Sequence, residues 1–115
     1  MSYPKRGQIW LVDFEPAIGA EIKKKRPACI ISNDISNEFA LTVTVLPITD
    51  PGKRVQPYEV ALGKSEVGLV KDSKIKCQQI RTIDKARLLK QLAVLPENKI
   101  KFVEKALAIH LGIIF

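Results

Sequence analysis

Short apolar segments, rich in β-branched residues and separated by turn-forming residues, make up most of this chain. Residues 8–14, 27–32 and 41–49 have the length and composition of single strands, and Pro27 is expected to open the second, where a sheet tolerates proline. Shorter strand patterns occupy residues 58–62, 73–78, 80–84 and 87–95. This pattern predicts a mainly β protein: a small, strongly curved sheet or barrel with appended helices.

The last element is predicted to be a helix that starts near Pro96, where Glu97 favours the helix N-terminus. Two apolar stripes recur at helical spacing. The first comprises Ile100, Val103, Leu107, Leu111 and Ile114, and the second comprises Phe102, Ala106, Ile109 and Ile113. One stripe is expected to pack on the sheet. The other either meets a partner subunit or is buried in the protein's own core.

The length of 115 residues predicts a single domain over residues 1–115, and the hydrophobic fraction of 46% is enough to form a core without disulfides. A net charge of +7 favours nucleic acid or an acidic protein as partner; the alternative is lysine that only maintains solubility. No apolar run approaches the ~20 residues of a membrane span, and no signal peptide is recognisable, so a cytoplasmic protein is expected. Cys29 and Cys77 are expected to be reduced, buried thiols.

Four consecutive cations, Lys23 to Arg26, lie in a loop directly before the second predicted strand. Because apolar strands hold this loop on both sides, its charges are expected to point in a fixed direction, which indicates a polyanionic partner. The chain has one histidine, His110. A histidine pair acting as general acid and base is therefore impossible within one subunit, and a zinc site built on histidines is not expected.

Four segments carry a recognisable pattern: RGQIWLVDF at 6–14, Gly19-Ala20-Glu21 with Arg26-Pro27, Pro47-Ile48-Thr49, and CQQIRTIDKARL at 77–88. Together, and in this order, they resemble the MazF/PemK/Kid group of toxin endoribonucleases from type II toxin–antitoxin systems. The resemblance implies an SH3-like, strongly twisted β-barrel with a C-terminal helix that acts as a homodimer. It also implies sequence-specific cleavage of single-stranded RNA without metal or cofactor, which leaves 2′,3′-cyclic phosphate and 5′-hydroxyl ends. A cognate antitoxin would thread an acidic segment across the RNA groove.

By the same resemblance Arg26 is the central catalytic residue, and Thr49 hydrogen-bonds the scissile phosphate or the 2′-oxygen. A guanidinium at a loop–strand junction suits phosphate, which it grips in a bidentate manner. Glu21 is expected to orient Arg26 as an ion pair rather than to act as base, since surrounding cations lower a carboxylate's pKa. Gln79 is expected on a strand beside Cys77, where it either braces the site or reads a base edge.

The remaining cations of the two loops are predicted to grip phosphates that flank the cut, with plain solvated surface as the alternative. They are Lys23, Lys24, Lys25, Lys53 and Arg54. Phe14 and Pro16 are candidate stacking surfaces, although Phe14 and Trp10 fit the core better. Structural ion pairs are expected of Arg81, Asp84, Lys85 and Arg87.

Two departures from the family pattern bear on the mechanism. One branch of the family carries a histidine where this chain has Ala20 and an aspartate where it has Gln78. A scheme that relies on that acid–base pair cannot operate here, which favours one centred on Arg26 and Thr49. Two alternatives remain open. One is a CcdB-like DNA gyrase poison that binds through the apolar residues 111–115, and the other is a basic protein that binds nucleic acid without cutting it.

Overall fold

Seven short strands and one long C-terminal helix dominate the fold in a computed structural model that describes residues 3–113. The strands are β1 (Gln8–Asp13), β2 (Lys25–Ile30), β3 (Thr42–Thr49), β4 (Glu59–Leu62), β5 (Ser73–Lys76), β6 (Arg81–Asp84) and β7 (Leu88–Val94). The helices are α1 (Asp34–Phe39), α2 (Lys64–Val67) and α3 (Glu97–Leu111), with 3₁₀ turns at Cys77–Gln79 and Lys85–Arg87. The prediction of a mainly β protein with a C-terminal helix is confirmed.

All strand pairs in the described part of the chain are antiparallel, in the order β4-β5-β3-β2-β1-β7, with β6 also paired to β3. β4 and β7 are therefore edge strands, and across residues 3–113 hydrogen bonds do not close the sheet into a barrel. β2 begins at Lys25 rather than at Pro27, which faces Leu11 of β1. Proline is tolerated there because β3 pairs with β2 only from Ala28 onward.

β5 and β6 lie one after the other along the same side of β3. Thr42 faces Asp84 whereas Ile48 faces Ile75, so six steps along β3 correspond to nine steps along its partner. The 3₁₀ turn Cys77–Gln79 takes up the three extra residues. The predicted strand 73–78 consequently ends at Lys76, and the prediction that Gln79 lies in a strand is wrong, because this turn lifts it out of the ladder.

Two apolar clusters form the core, one on each face of the sheet. The first lies between the sheet and α3 and includes Ile9, Leu46, Ile48, Ile75, Ile100 and Val103. The second includes Val12, Phe14, Ile30, Val45 and Ile83. Both free cysteines lie in the first cluster, as expected, and burial raises the pKa of each thiol to about 12.

Helix α3 packs on the sheet through only part of its apolar surface. Ile100 and Val103 of the first stripe are buried, and Ala106 joins them from the second. Phe102 and Ile109 are 58% and 49% exposed, so burial of the second stripe in the protein's own core is wrong. Leu111 and Ile113 are also exposed, and Ile114 lies outside the described residues. In the part of the chain that the structure describes, no helix is long and apolar enough to cross a membrane.

Two shorter features complete the fold. Pro96 is the N-cap residue of α3, in agreement with the predicted start of the helix. Between β4 and β5, α2 forms one helical turn that ends at Gly68 in a left-handed conformation.

Candidate active site

Arg26 and Thr49 lie at the same end of the sheet, at the start of β2 and the end of β3. The two strands are antiparallel, with Ala28 opposite Pro47, and this register continued by two residues brings Arg26 opposite Thr49. Both residues line one cleft of about 250 Å³, together with Leu69 and Lys71 from the segment that follows α2. The two predicted catalytic residues are thus brought together by strand pairing.

The guanidinium of Arg26 is held from one side only. Its Nε donates a hydrogen bond to the carbonyl of Lys23 at 3.1 Å. Among residues 3–113, the acidic side chains in ion pairs are Glu104, Asp50, Glu59 and Glu66, and none of them pairs with Arg26. A guanidinium anchored through Nε directs its two terminal nitrogens outward in a fork that matches a phosphate.

Thr49 is half-buried in the same cleft. Its hydroxyl donates to the carbonyl of Asp50 at 3.2 Å, which is longer than the usual range for hydroxyl hydrogen bonds. The carboxylate of Asp50 accepts from the Gly52 amide at 3.1 Å and lies 3.7 Å from Lys71 Nζ. The Asp50 carboxylate is therefore bound within its own turn and to Lys71, and it does not bind the Thr49 hydroxyl. Since that hydroxyl makes only a long bond to a carbonyl, it can rotate toward a ligand.

Glu21 does not contact Arg26, so the predicted ion pair is wrong. Its Oε1 accepts a hydrogen bond from the amide of Ile18 at 2.8 Å, and its own amide donates to the carbonyl of Ile18 at 3.1 Å. The tight turn at residues 18–21 thus folds the carboxylate back onto its own loop. A role for Glu21 in catalysis stays a prediction, and it no longer has the support of an ion pair with Arg26.

Gln79 lies in the 3₁₀ turn between β5 and β6 and holds the loop between β1 and β2. This loop, residues 14–24, carries Lys23 and Lys24 and is called the cationic loop below. Gln79 Oε1 accepts from the Ile22 amide at 2.8 Å, and its Nε2 donates to the Ala20 carbonyl at 3.1 Å. These two bonds clamp the middle of the loop to a residue almost sixty positions away in sequence. Of the two predicted roles, the geometry favours bracing over reading a base edge.

Two arginines of the 77–88 segment hold the beginning of the same loop. Arg81 Nη1 donates to the Phe14 carbonyl at 3.1 Å, and Arg87 Nη1 donates to the carbonyls of Asp13 and Glu15. The predicted ion pairs of Arg81 and Arg87 are therefore wrong: these side chains bind the backbone carbonyls of residues 13–15, at the end of β1 and just after it. The sequence did not predict this role, in which Arg81 and Arg87 hold the beginning of the loop in place.

The other two charged residues of that segment also bind backbone groups. Asp84 accepts from the Ala86 amide at 2.8 Å and so caps the second 3₁₀ turn, while Lys85 Nζ donates to the Glu38 carbonyl at 3.4 Å. Phe14 is fully buried beneath the Arg81 guanidinium, which lies 5.9 Å from its ring centroid, so it offers no stacking surface. Pro16 is exposed, and half-buried Trp10 packs against the second cluster.

Exposed cations lie at the same end of the sheet as the cleft, in two loops and at the start of β2. Residues 14–24, between β1 and β2, and residues 50–58, between β3 and β4, leave the sheet at the same end. All five cations predicted to bind RNA are exposed: Lys23, Lys24, Lys25, Lys53 and Arg54. An anionic chain that enters the cleft would meet these cations on both sides.

A buried ion pair anchors the second of these loops. Lys74 Nζ lies 3.0 Å from Glu59 Oε1 and also donates to the Arg54 carbonyl at 3.0 Å. Glu59 accepts further bonds from the Gln56 amide and from Gln78 Nε2. Burial alone would raise the pKa of Glu59, but these hydrogen bonds and the Lys74 charge outweigh it and hold the pKa below its usual value. A lone glutamate between apolar residues was the only sequence signal for this site.

The two departures from the family pattern have structural roles of their own. Ala20 offers its carbonyl to Gln79, and Gln78 binds Glu59 through Nε2 while its buried Oε1 has no partner in the described part of the chain. His110 is exposed on α3, with its ring 6.4 Å from that of Tyr58. Neither Ala20 nor Gln78 presents an ionisable group to the cleft.

No carboxylate among residues 3–113 forms an ion pair with Arg26, and the cleft that Arg26 shares with Thr49 lies at the end of the sheet where the exposed cations are found. Such a combination suits a ligand that carries phosphates. The fold thus defines a small, mainly β protein with a cleft that carries Arg26 and Thr49 at one end of its sheet. The chain belongs to the PemK-like, MazF-like family of toxins of type II toxin–antitoxin systems, whose family model matches residues 5–111. The resemblance inferred from the four sequence segments is confirmed.

Individual relatives match over nearly the whole chain. Endoribonuclease MazF of Staphylococcus epidermidis is 42% identical over 95% of this chain and 92% of its own length. Endoribonuclease MazF9 of Mycobacterium tuberculosis H37Rv is 36% identical over 95% and 97%. Among solved structures, MazF from Deinococcus radiodurans has a TM-score of 0.84 at 26% identity, covering 97% of this chain and 99% of that chain. An endoribonuclease in complex with its cognate antitoxin from a mycobacterial species has a TM-score of 0.81 at 26% identity, covering 97% and 98%.

Proposed function

We propose that this protein is a toxin that cuts single-stranded RNA at short sequence motifs, without metal, to leave 2′,3′-cyclic phosphate and 5′-hydroxyl ends. Its enzyme class, endoribonuclease, is that of the two curated relatives. The observation that carries the proposal is that Arg26 and Thr49 line one cleft, with no carboxylate of the described residues paired to the guanidinium.

In the proposed reaction the RNA's own 2′-oxygen attacks the adjacent phosphorus. The bond from the 2′-oxygen to phosphorus forms, the bond from phosphorus to the 5′-oxygen breaks, and the 2′-hydroxyl proton is lost while the 5′-oxygen gains one. Arg26 donates hydrogen bonds to the phosphoryl oxygens, where negative charge accumulates in the transition state. Thr49 hydrogen-bonds the scissile phosphate or the 2′-oxygen and so aligns the attack.

RNA binding in this proposal comes from the exposed cations of the two loops and of the first residue of β2: Lys23, Lys24, Lys25, Lys53 and Arg54. Their contacts to phosphates flanking the cut are blind to sequence and weaken as salt rises. The choice of sequence then rests on unstacked bases that contact the two loops.

The proposed setting is a cytoplasmic homodimer of one domain, residues 1–115, inhibited by a cognate antitoxin through an acidic segment. The exposed apolar stripe of α3 supports a subunit contact, because Phe102 and Ile109 are large side chains left outside the core. The cationic rim of the cleft supports an acidic inhibitor, since the charges that attract RNA also attract carboxylates.

The proposal is tested by incubating the purified protein with RNA of mixed sequence in EDTA and mapping the ends. Discrete cuts with 5′-hydroxyl ends are expected from the wild type, and no cuts from a folded Arg26→Ala variant. Lys101→Ala removes an exposed cation of α3 that does not line the cleft, and it serves as matched control. Unchanged cleavage by Arg26→Ala would remove Arg26 from the mechanism.

The gyrase-poison alternative has one favourable observation, the exposed Leu111 and Ile113 at the end of α3. The remaining residues of that apolar end, Ile114 and Phe115, lie outside the described residues. Deletion of the last three residues separates the two functions. Loss of gyrase binding, in a protein whose RNA cleavage is never detected, would favour the poison.

A further inference from the structure

Glu15, directly after β1, turns its carboxylate back across the cationic loop. Its Oε2 accepts a hydrogen bond from the Lys24 amide at 2.7 Å, and its Oε1 accepts from the Ala17 amide at 3.3 Å. Arg87 Nη1 also donates to the backbone carbonyl of Glu15. The residue thus joins the two ends of the loop, and its carboxylate oxygens are committed to backbone amides.

The amide that Glu15 Oε2 binds belongs to a residue with unusual backbone geometry. Lys24 has a φ of +68°, a left-handed conformation that is rare and strained for any residue but glycine. Its carbonyl accepts from the Phe14 amide at 3.0 Å. Two hydrogen bonds therefore hold Lys24 in this conformation: its amide donates to Glu15, and its carbonyl accepts from Phe14.

The peptide group between Lys23 and Lys24 connects this contact to Arg26. A peptide group is planar, so the N–H of Lys24 and the C=O of Lys23 point in opposite directions, and fixing one fixes the other. The Lys23 carbonyl is the acceptor for Arg26 Nε at 3.1 Å. A carboxylate on the N–H of this peptide also strengthens its carbonyl as an acceptor, because hydrogen bonds in a chain polarise one another.

We propose that Glu15 is a positioning residue for Arg26, acting through the peptide group between Lys23 and Lys24. This inference rests on the proposed role of Arg26. Without the Glu15 acceptor, the strained φ of Lys24 loses one of its restraints, the peptide group can rotate, and the Lys23 carbonyl turns away from Nε. The guanidinium then reaches the phosphate from a wider range of orientations.

The sharpest test compares Glu15→Gln with Glu15→Met. The two side chains have similar size and neither is charged, but glutamine keeps an oxygen that accepts from the Lys24 amide and methionine does not. Glu15→Met is expected to lower kcat for RNA cleavage roughly tenfold to a hundredfold with little change in KM, the cost of a small misplacement of a catalytic group. Glu15→Gln is expected to stay within a few-fold of wild type. Glu38→Gln, on the exposed surface of α1, controls for the loss of one negative charge.

A second readout does not depend on activity. The Nε–Hε signal of Arg26 in a ¹⁵N-correlated NMR spectrum, assigned by its absence in Arg26→Lys, reports the bond to the Lys23 carbonyl. It is expected to exchange slowly with water in wild type and Glu15→Gln, and quickly in Glu15→Met. If Glu15→Met does not fold, Glu15→Asp takes its place, because a side chain shorter by one methylene withdraws the carboxylate from the amide while keeping the charge.

The outcomes separate this inference from the proposed function. No RNA cleavage by the wild type would defeat the proposed function, and the NMR comparison would still decide whether Glu15 orients Arg26. An active wild type and an inactive Arg26→Ala, together with a Glu15→Met variant of normal kcat and unchanged Nε–Hε exchange, would overturn the positioning role alone.

Discussion

Lys74 Nζ lies 3.0 Å from the carboxylate of Glu59, and these side chains are 13% and 2% exposed. The pair lies beneath the loop that carries Lys53 and Arg54, which Lys74 also holds through the Arg54 carbonyl. A buried pair of this kind is costly to break from one side, because the remaining charge is left without a partner. The position of the second cationic loop is therefore tied to the ionisation of one glutamate.

We expect Glu59→Gln to change how stability depends on pH. Because the pKa of Glu59 is lower in the folded protein than the unfolded value near 4.3, its ionisation stabilises the fold above that value, and the contribution is lost as pH falls through the folded pKa. The variant should be less stable at pH 7 by roughly 3 kcal/mol and should lose less stability between neutral pH and acid. Urea unfolding at a series of pH values measures both effects. Parallel curves for the two proteins would contradict the assignment.

The hydroxyl of Thr49 should matter to the chemical step and not to the fold. Thr49→Val keeps the shape of the side chain without a donor, and we expect it to lower kcat roughly a hundredfold. Thr49→Ser keeps the hydroxyl and should stay near wild type. Single-turnover cleavage of a defined RNA gives the rates, and circular dichroism verifies folding. Equal rates for the valine and serine variants would exclude a role for the hydroxyl.

Gln79 should act on the loop rather than on RNA. Gln79→Ala leaves the Ile22 amide and the Ala20 carbonyl without their partner, so we expect a loss of about 1–2 kcal/mol of stability. Hydrogen exchange of the Ile22 amide should accelerate, and Gln91→Ala, on the exposed surface of β7, should leave it unchanged. A protected Ile22 amide in Gln79→Ala would mean that another group holds the loop.

Replacement of Lys24 by glycine should destabilise the protein less than replacement by alanine, and at Lys25 the order should be the opposite. Both substitutions remove the same charge, but only glycine adopts a φ of +68° without strain, so Lys24→Gly should be more stable than Lys24→Ala by about 1 kcal/mol. Lys25 lies in β2, where glycine costs backbone entropy, and there the order should reverse. Urea midpoints of the four variants provide the comparison, and alanine at least as stable as glycine at position 24 would count against the left-handed conformation.

The site was predictable to the extent that it depends on local pattern and strand order. Arg26 and Thr49 occupy a strand start and a strand end, and antiparallel neighbours bring such positions to the same end of a sheet. The predicted ion pair between Glu21 and Arg26 was wrong because a loop carboxylate can accept hydrogen bonds from several nearby amides. The spacing of residues along the sequence does not show which of these amides it binds. Glu21 bonds within its own turn, and Glu15 reaches the peptide group beside Arg26 instead.

The sequence by itself determined the strands, the C-terminal helix, the family and the two residues at the centre of the cleft, because hydrophobic periodicity, turn chemistry and a recurring motif are local signals. Only the tertiary structure decided how the cationic loop is held. Gln79, Arg81 and Arg87 bind it from 57 or more positions away. Those contacts depend on the three-residue shift along β3 and on side-chain conformations, neither of which local sequence encodes.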